Sequence, residues 1–246
     1  MSRLLIDIGN SRVKFGLADI DAGAVRWLRQ WAGFVETIEA SDAELDAVDG
    51  VMLCSVADAA TTARLEVAVR SRLPGVSMGR FVSSAAAAGI VNGYADPCRL
   101  GADRFAAAIG ARVRVASGDV IIASLGTATT IDLLGADDRF KGGVILPGPA
   151  LMARSLEQGT AHLPAIDWAA PVQERWPRST AEAIADGIVQ AQLGAIDRLC
   201  ARSRDAALLL SGGAARSFAL RIDRPHRVVD NLVLDGLARV VQTDLS

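Results

Sequence analysis

Two histidines, three cysteines and one tyrosine are all that this chain of 246 residues contains of those types. His162 and His226 are too few and too isolated to build a metal cluster. Cys54, Cys98 and Cys200 are odd in number and widely spaced, so they read as reduced thiols in a cytosol rather than as a disulfide framework. Aromatic residues supply only 4% of the chain against 51% hydrophobic residues, so Ala, Val, Leu and Ile must fill the core. Long hydrophobic runs are missing too. The longest uncharged stretch, Phe81 to Ala95, contains Gly, Asn and Ser and falls short of the ~20 apolar residues that cross a bilayer. Asp7 interrupts the first apolar run and no small-residue cleavage site follows, so no signal peptide is expected. Neither sign of charge dominates: the formal net charge is −2, which argues against an electrostatic nucleic-acid binder. These absences leave a cytoplasmic enzyme or binding protein with neither membrane nor nucleic acid as partner.

What is present is a loop used twice. Leu4-Leu5-Ile6-Asp7-Ile8-Gly9-Asn10-Ser11 opens the chain, and Val120 to Thr129, with Ser124-Leu125-Gly126-Thr127-Ala128-Thr129 at its end, repeats the idea. Each apolar run breaks into a Gly followed by small hydroxyl or amide residues, and each resumes as a second apolar stretch. That predicts strand, tight turn and returning strand. Such a turn aims backbone N–H groups and hydroxyls at one spot, which suits a phosphate. Taken alone, the first loop reads as an ordinary hairpin with Gly-Asn at its tip. The second changes the balance, because three hydroxyls beside Gly126 are a poor packing solution without a ligand. Two facing turns would grip a polyphosphate in a nucleotide cleft between two similar domains, with Asp7 holding hydrated magnesium and Lys14 reaching a terminal phosphate as a point charge.

Three strands are expected from Arg3 to about Trp31, helices over Thr37–Val48 and Thr61–Leu73, and a buried strand between them at Val51–Val56. Strands first, then alternating helix and strand, is the order of a ribonuclease-H-like α/β unit. A helix is expected over Gly101–Ala116, and Ser117-Gly118-Asp119 marks a domain boundary, giving domains 1–117 and 118–246. The second half restarts the pattern. Gly142-Gly143 and Pro147-Gly148 are expected to bracket a short buried strand. Further helices are expected over Ala150 to about Gln158, behind a capping box of Ser179 and Glu182 that buries Ile184, Ile188, Ile196 and Leu199, and from about Leu232 to Gln242. Ala206 to Leu210 reads as a strand that leads into a third small-residue turn, Ser211 to Ala215.

Gly101-Ala102-Asp103-Arg104 opens a helix. Asp103 is explained equally by the helix dipole and by service as a general base toward a substrate hydroxyl. Arg104 has the fork that clamps a carboxylate, and spacing alone does not choose between these readings. Asn92-Gly93 with Tyr94 reads as a turn with a packed ring, and Thr180 as a helix N-terminal residue.

The ordered set Asp7 to Ser11, Asn92-Gly93-Tyr94, Gly101 to Arg104, Gly126 to Thr130, Gly142-Gly143 and Pro147-Gly148 resembles type III pantothenate kinases over nearly the whole chain. That family belongs to the acetate and sugar kinase, heat-shock-70 and actin superfamily. The resemblance implies two ribonuclease-H-like domains and conversion of pantothenate and ATP to 4′-phosphopantothenate, the first committed step of coenzyme A synthesis, in a homodimer. It implies ATP binding by Asp7, Gly9, Asn10, Ser11, Lys14, Gly126 and Thr127. It implies pantothenate binding by Tyr94, Gly101, Ala102, Asp103 and Arg104, with Asp103 accepting the proton and Thr180 reaching pantothenate from the dimer partner. The family's second loop usually begins with an Asp that ligates a monovalent cation such as potassium or ammonium. Ser124 stands there instead, which implies no strong potassium requirement. Two other functions remain open: a kinase or phosphohydrolase of the same superfamily acting on another small substrate, and a nucleotide-binding regulatory protein that has lost catalysis.

Overall fold

The computed structural model describes residues 1–33, 42–160, 163–169 and 175–245. They form two compact units. The first comprises Met1–Ser117, Asp137–Lys141 and Asn231–Ser246; the second comprises Gly118–Ala136 and Gly142–Asp230. After residue 117 the chain therefore returns to the first unit twice, at Asp137–Lys141 and at Asn231–Ser246.

The first unit opens with β1 (Ser2–Ile8), β2 (Val13–Ile20) and β3 (Val25–Gly33), followed by a short helix α1 (Asp42–Asp46), β4 (Val48–Ser55), α2 (Ala59–Arg72) and β5 (Ser77–Phe81). The start of the helix expected at Thr37 lies outside the described residues, and Val48 at its other end belongs to β4. The sheet order is β3-β2-β1-β4-β5. β1 is antiparallel to β2 and parallel to β4. Leu4, Leu5, Ile6 and Ile8 are all fully buried, the near-continuous apolar run of a strand covered on both faces. α2 starts where Asp58 Oδ1 accepts the Thr61 N–H at 2.8 Å, a side-chain cap. A small hairpin, β6 (Ala86–Ala87) and β7 (Ile90–Asn92), precedes α3 (Ala102–Arg114).

The second unit repeats the plan. β8 (Val120–Leu125), β9 (Ala128–Leu134) and β10 (Arg139–Pro147) come first, then α4 (Pro149–Gly159), α5 (Thr180–Cys200), β11 (Ala207–Ser211), α6 (Ala215–Ala219) and β12 (His226–Val228). Five consecutive strands of the second, seven-stranded sheet run β10-β9-β8-β11-β12, in the order of the first sheet. Again the first strand is antiparallel to the second and parallel to the fourth. α5 covers a core of Ile121, Leu125, Val189, Ile196, Leu210 and Phe218.

Three expectations need correction here. β10 is longer than the segment between its Gly and Pro-Gly pairs, and it is not buried: Val144 and Ile145 are 39% and 63% exposed. β7 pairs with β10 at Arg139 and Phe140, and the exposed Val144 and Ile145 lie further along the strand, beyond that pairing. Leu199 is only half-buried, while Ile184, Ile188 and Ile196 are buried. The capping box is half formed. Ser179 Oγ accepts the Glu182 N–H at 3.2 Å, but the Glu182 carboxylate accepts the N–H of Arg178 at 2.8 Å, drawn one residue further back where Arg175 grips it with both Nη atoms.

The last helix, α7 (Leu232–Thr243), rejoins the first unit and packs on α3. Glycines set how closely they approach. A Cβ on Gly110 would lie 2.0 Å from the Leu232 carbonyl oxygen, and one on Gly236 would lie 1.9 Å from that of Ala106. Arg114 forks onto the buried Asp235 at 2.8 and 2.7 Å and fixes the pair. α3 is thereby anchored along its length, which matters because its first turn carries Asp103.

Candidate active site

In the first unit, register places Asp7 opposite Lys14 across the β1–β2 hairpin and beside Cys54 on β4. The turn between the strands is closed by the Gly9 N–H donating to the Arg12 carbonyl at 3.1 Å, and Asn10, Ser11 and Arg12 at its tip are exposed. Burial raises the Asp7 carboxyl to about 6; Lys14 opposes that rise and Asp103 adds to it. The same two carboxylates, after burial itself, push the Cys54 thiol well up. Asp7 and Asp103, distant in sequence, thus share one electrostatic neighbourhood.

Asp103 sits in the first turn of α3. Its Oδ1 accepts the N–H of Arg104 at 2.8 Å, and a Cβ at Gly101 would lie 2.8 Å from that same oxygen. Burial raises its carboxyl above the ordinary range against the pull of that N–H and of the Arg104 guanidinium. A carboxylate made more basic in this way is a better proton acceptor near neutral pH. Arg104 is buried, at 7% exposure. Its Nη1 donates to the Tyr94 hydroxyl at 2.8 Å, and its guanidinium lies 5.7 Å from the Tyr94 ring centre and 5.6 Å from that of Phe140. Asn92 holds the segment behind Tyr94. Its amide donates to Ser84 and Pro97 carbonyls at 3.1 and 3.0 Å, and its Oδ1 accepts the Tyr94 N–H at 3.0 Å.

Phe140 escaped the sequence reading. It comes from the short segment that returns to the first unit, where its carbonyl accepts the Gly93 N–H at 3.0 Å. A Cβ on Gly93 would lie 2.2 Å from that oxygen, so Gly93 is what lets Phe140 reach Tyr94. The Asn92-Gly93 pair was the signal: a glycine needed for close approach in addition to a turn.

In the second unit the hydroxyl-rich turn is built differently. Ser124 faces Thr130 across the hairpin and Ser211 on β11. The Gly126 N–H donates to the Ala128 carbonyl at 3.0 Å. Two other turns clamp it from behind. The Gly148 N–H donates to the Thr127 carbonyl at 3.0 Å, and a Cβ on Gly148 would lie 2.0 Å from the Gly126 oxygen. Gly212, at φ +92°, approaches so closely that its Cβ would lie 2.4 Å from the Leu125 oxygen. Gly148 and Gly212 therefore support the turn in addition to punctuating the chain. Of the three hydroxyls counted beside Gly126, Thr127 and Thr130 are half-buried, while Thr129 is wholly buried and its Oγ1 has no hydrogen-bond partner among the described residues. Thr180 is the exposed first residue of α5.

Two like-folded α/β units with a glycine turn at the same hairpin are the architecture of the actin-like ATPase and sugar kinase class. Among solved structures, the chain matches a Campylobacter jejuni protein described as a Baf family transcriptional activator (TM-score 0.63, 18% identity, 98% of each chain). It also matches a Sinorhizobium meliloti protein described as a 2-dehydro-3-deoxygalactonokinase (TM-score 0.56, 17% identity, 98% of this chain and 99% of that one). These likenesses define the fold alone. The family is defined by sequence. Residues 3–202 match the type III pantothenate kinase model. A type III pantothenate kinase of Burkholderia mallei strain SAVP1 is 39% identical over 98% of this chain and 99% of its own length. One of Dechloromonas aromatica strain RCB is 41% identical over 94% and 95%. The chain belongs to the type III pantothenate kinase family.

Proposed function

We propose that this protein transfers the γ-phosphoryl group of ATP to the primary hydroxyl of pantothenate, giving 4′-phosphopantothenate at the first step of coenzyme A synthesis, as a cytoplasmic homodimer. Family membership supports the acceptor. The observation that carries the assignment of roles is the convergence of the Asp7 and Asp103 carboxylates beside Arg104, with both acids raised by burial.

In this reading Asp103 accepts the proton of the substrate hydroxyl as that oxygen attacks phosphorus in line. Arg104, held by Tyr94 and Phe140, clamps the substrate carboxylate, while Gly101 and Ala102 present backbone around it. Gly9, Asn10, Ser11 and Lys14 bind phosphate in the first unit, and Gly126 and Thr127 do so in the second. Most of the acceleration comes from positioning and charge neutralisation, since phosphoryl transfer asks little covalent chemistry of the protein.

Magnesium fits the residues present. Asp7 is a single buried carboxyl whose charged form gains from a cation. Among the described residues no group of three or more His, Cys, Asp or Glu could hold a metal ion, and magnesium needs none, because it keeps its waters and takes phosphate oxygens. When bound it neutralises charge on the transferring phosphates. Ser124 supplies no anionic ligand for a monovalent cation.

Thr180 of the partner subunit completes the pantothenate site in this reading. Thr180→Ala is expected to raise the pantothenate KM about tenfold, the order of one lost hydrogen bond, with the dimer intact by light scattering. An unchanged KM removes the residue from the site. The acceptor itself is tested by ADP release with pantothenate against glucose, N-acetylglucosamine and no acceptor. Turnover with a sugar and none with pantothenate would refute the assignment.

A further inference from the structure

We propose that the first unit carries a second ligand site, at the end of α3 remote from Asp103, for a small organic anion with a flat apolar body. A cavity of about 560 Å³ lies there, walled by Trp27, Ile90, Ile109 and Val113 among others. That size and that mixture of apolar wall with a few convergent polar groups are those of small-molecule sites.

Charge selects the ligand class. Three guanidiniums, Arg112, Arg114 and Arg239, line the cavity against two carboxylates, Asp138 and Asp235. Each acid is engaged by its own arginine: Asp138 accepts from Arg112 Nε at 2.6 Å, and Asp235 accepts both hydrogen bonds of the Arg114 fork. Arg239 instead donates to a neutral acceptor, the Gln242 amide oxygen, at 2.8 Å. One formal positive charge is left over, in a cavity whose wall also includes the flat indole of Trp27. A carboxylate or phosphate on an aromatic body satisfies both features.

The backbone marks the same place. Among the described residues, the non-glycine positions with positive φ are Ala88 at 48° and Asp138 at 56°, and both line this cavity. Ala88-Gly89 is the two-residue loop of the β6–β7 hairpin, where Asn-Gly or Asp-Gly is the favoured pair. Alanine there accepts a poor conformation and keeps the wall short. Unfavourable backbone of this sort clusters at ligand sites.

Three elements run from the cavity to the candidate substrate site. α3 carries Asp103 and Arg104 in its first turn and Arg112 and Arg114 in its last, roughly 15 Å further along at the helical rise. β7 leads from Ile90 to Asn92 and on to Tyr94. Asp138 stands two residues before Phe140. Occupancy of the cavity therefore shifts the pantothenate KM. This last consequence rests on Arg104 and Tyr94 being substrate residues; the binding itself does not.

Calorimetric titration of the full chain with 1-naphthoate and with 1-naphthyl phosphate tests it. We expect one equivalent of at least one probe to bind, the preferred probe showing whether the headgroup is carboxylate or phosphate. Arg239→Glu should weaken binding by tenfold or more, the order of one charge-assisted contact. Val113→Trp, which fills the mouth with a side chain at a position 52% exposed, should weaken it too. Both variants should keep basal pantothenate-dependent turnover, and Asp103→Asn should bind the probe normally. Absence of binding at millimolar probe overturns the site. So does unchanged affinity in both cavity variants, or displacement of the probe by pantothenate with ATP. Saturating probe should change the pantothenate KM at least twofold in the native protein and not in Arg239→Glu; an unchanged KM overturns the coupling while calorimetry still reports the site.

Discussion

The two glycine turns occupy the same hairpin of the same sheet plan, yet they are built from opposite materials. Where the first turn has Asp7 facing Lys14, the second has Ser124 facing Thr130. The first is closed mainly by its own hydrogen bond and its tip is exposed; the second is pinned by Gly148 and Gly212 from two other segments. One hairpin carries ionised groups, including a carboxyl held at a cost in solvation. The other carries neutral hydroxyls and gains its precision from backbone packing. Under the proposed function, the duplicated fold divides the work: charge chemistry on the first unit, shape on the second.

Equivalent substitutions should break this symmetry. Asp7→Asn is expected to lower turnover by about 10²–10³-fold, the usual loss when one preorganised electrostatic group is removed. Ser124→Ala should change it by less than about threefold, since no charge is lost. Equal losses in the two variants would refute the division. The same Asp7→Asn variant should be more stable than the native chain at pH 8. The carboxyl rises to about 6 in the fold from 3.8, so its proton favours the folded state. Ionisation therefore costs stability, fully above the folded value and not at all below the unfolded one. The gain reaches up to about 3 kcal/mol at pH 8 and fades toward pH 4, as denaturant titrations at both pH values would show.

Glycine substitutions probe the other side of the comparison. Gly148→Ala should cost about 1–3 kcal/mol by overpacking and weaken ATP binding. Gly9→Ala, whose Cβ meets only the Arg12 oxygen at 3.2 Å, should cost less than about 1 kcal/mol. Thermal melts with and without ATP rank them, and a reversed order would contradict the clamped-turn account. The smallest effect concerns salts. Turnover in sodium, potassium and ammonium chloride should agree within about twofold, because Ser124 offers one weak, neutral ligand. A large potassium stimulation would show that other groups build a cation site.

Much of this was legible from residue order alone. Repeated apolar runs ending in Gly located both hairpins, and the strand-first order gave the sheet plan. The family emerged from motifs that are each modest in isolation. What the chain hid depends on register and close approach. Phe140 lies far from Tyr94 and Arg104 in sequence, and only the Gly93 contact reveals why it must be there. Gly148 and Gly212 look like turn punctuation until the backbone they touch is known. The exposure of Val144 and Ile145 goes with a flanking pairing that stops at Phe140, which local hydrophobicity does not encode. Glu182 shows the same limit at short range, since Arg175 redirects its carboxylate away from the reciprocal bond that the spacing predicts.

The central claim, that Asp103 is the base of a pantothenate-dependent phosphoryl transfer, is tested most directly by ADP release from ATP and magnesium with and without pantothenate, in the native chain and in Asp103→Asn. The account predicts turnover that requires pantothenate and falls about 10²–10⁴-fold in the variant, with ATP affinity preserved. Turnover that survives the substitution, or ATP binding with no pantothenate-dependent turnover in the native chain, would contradict it.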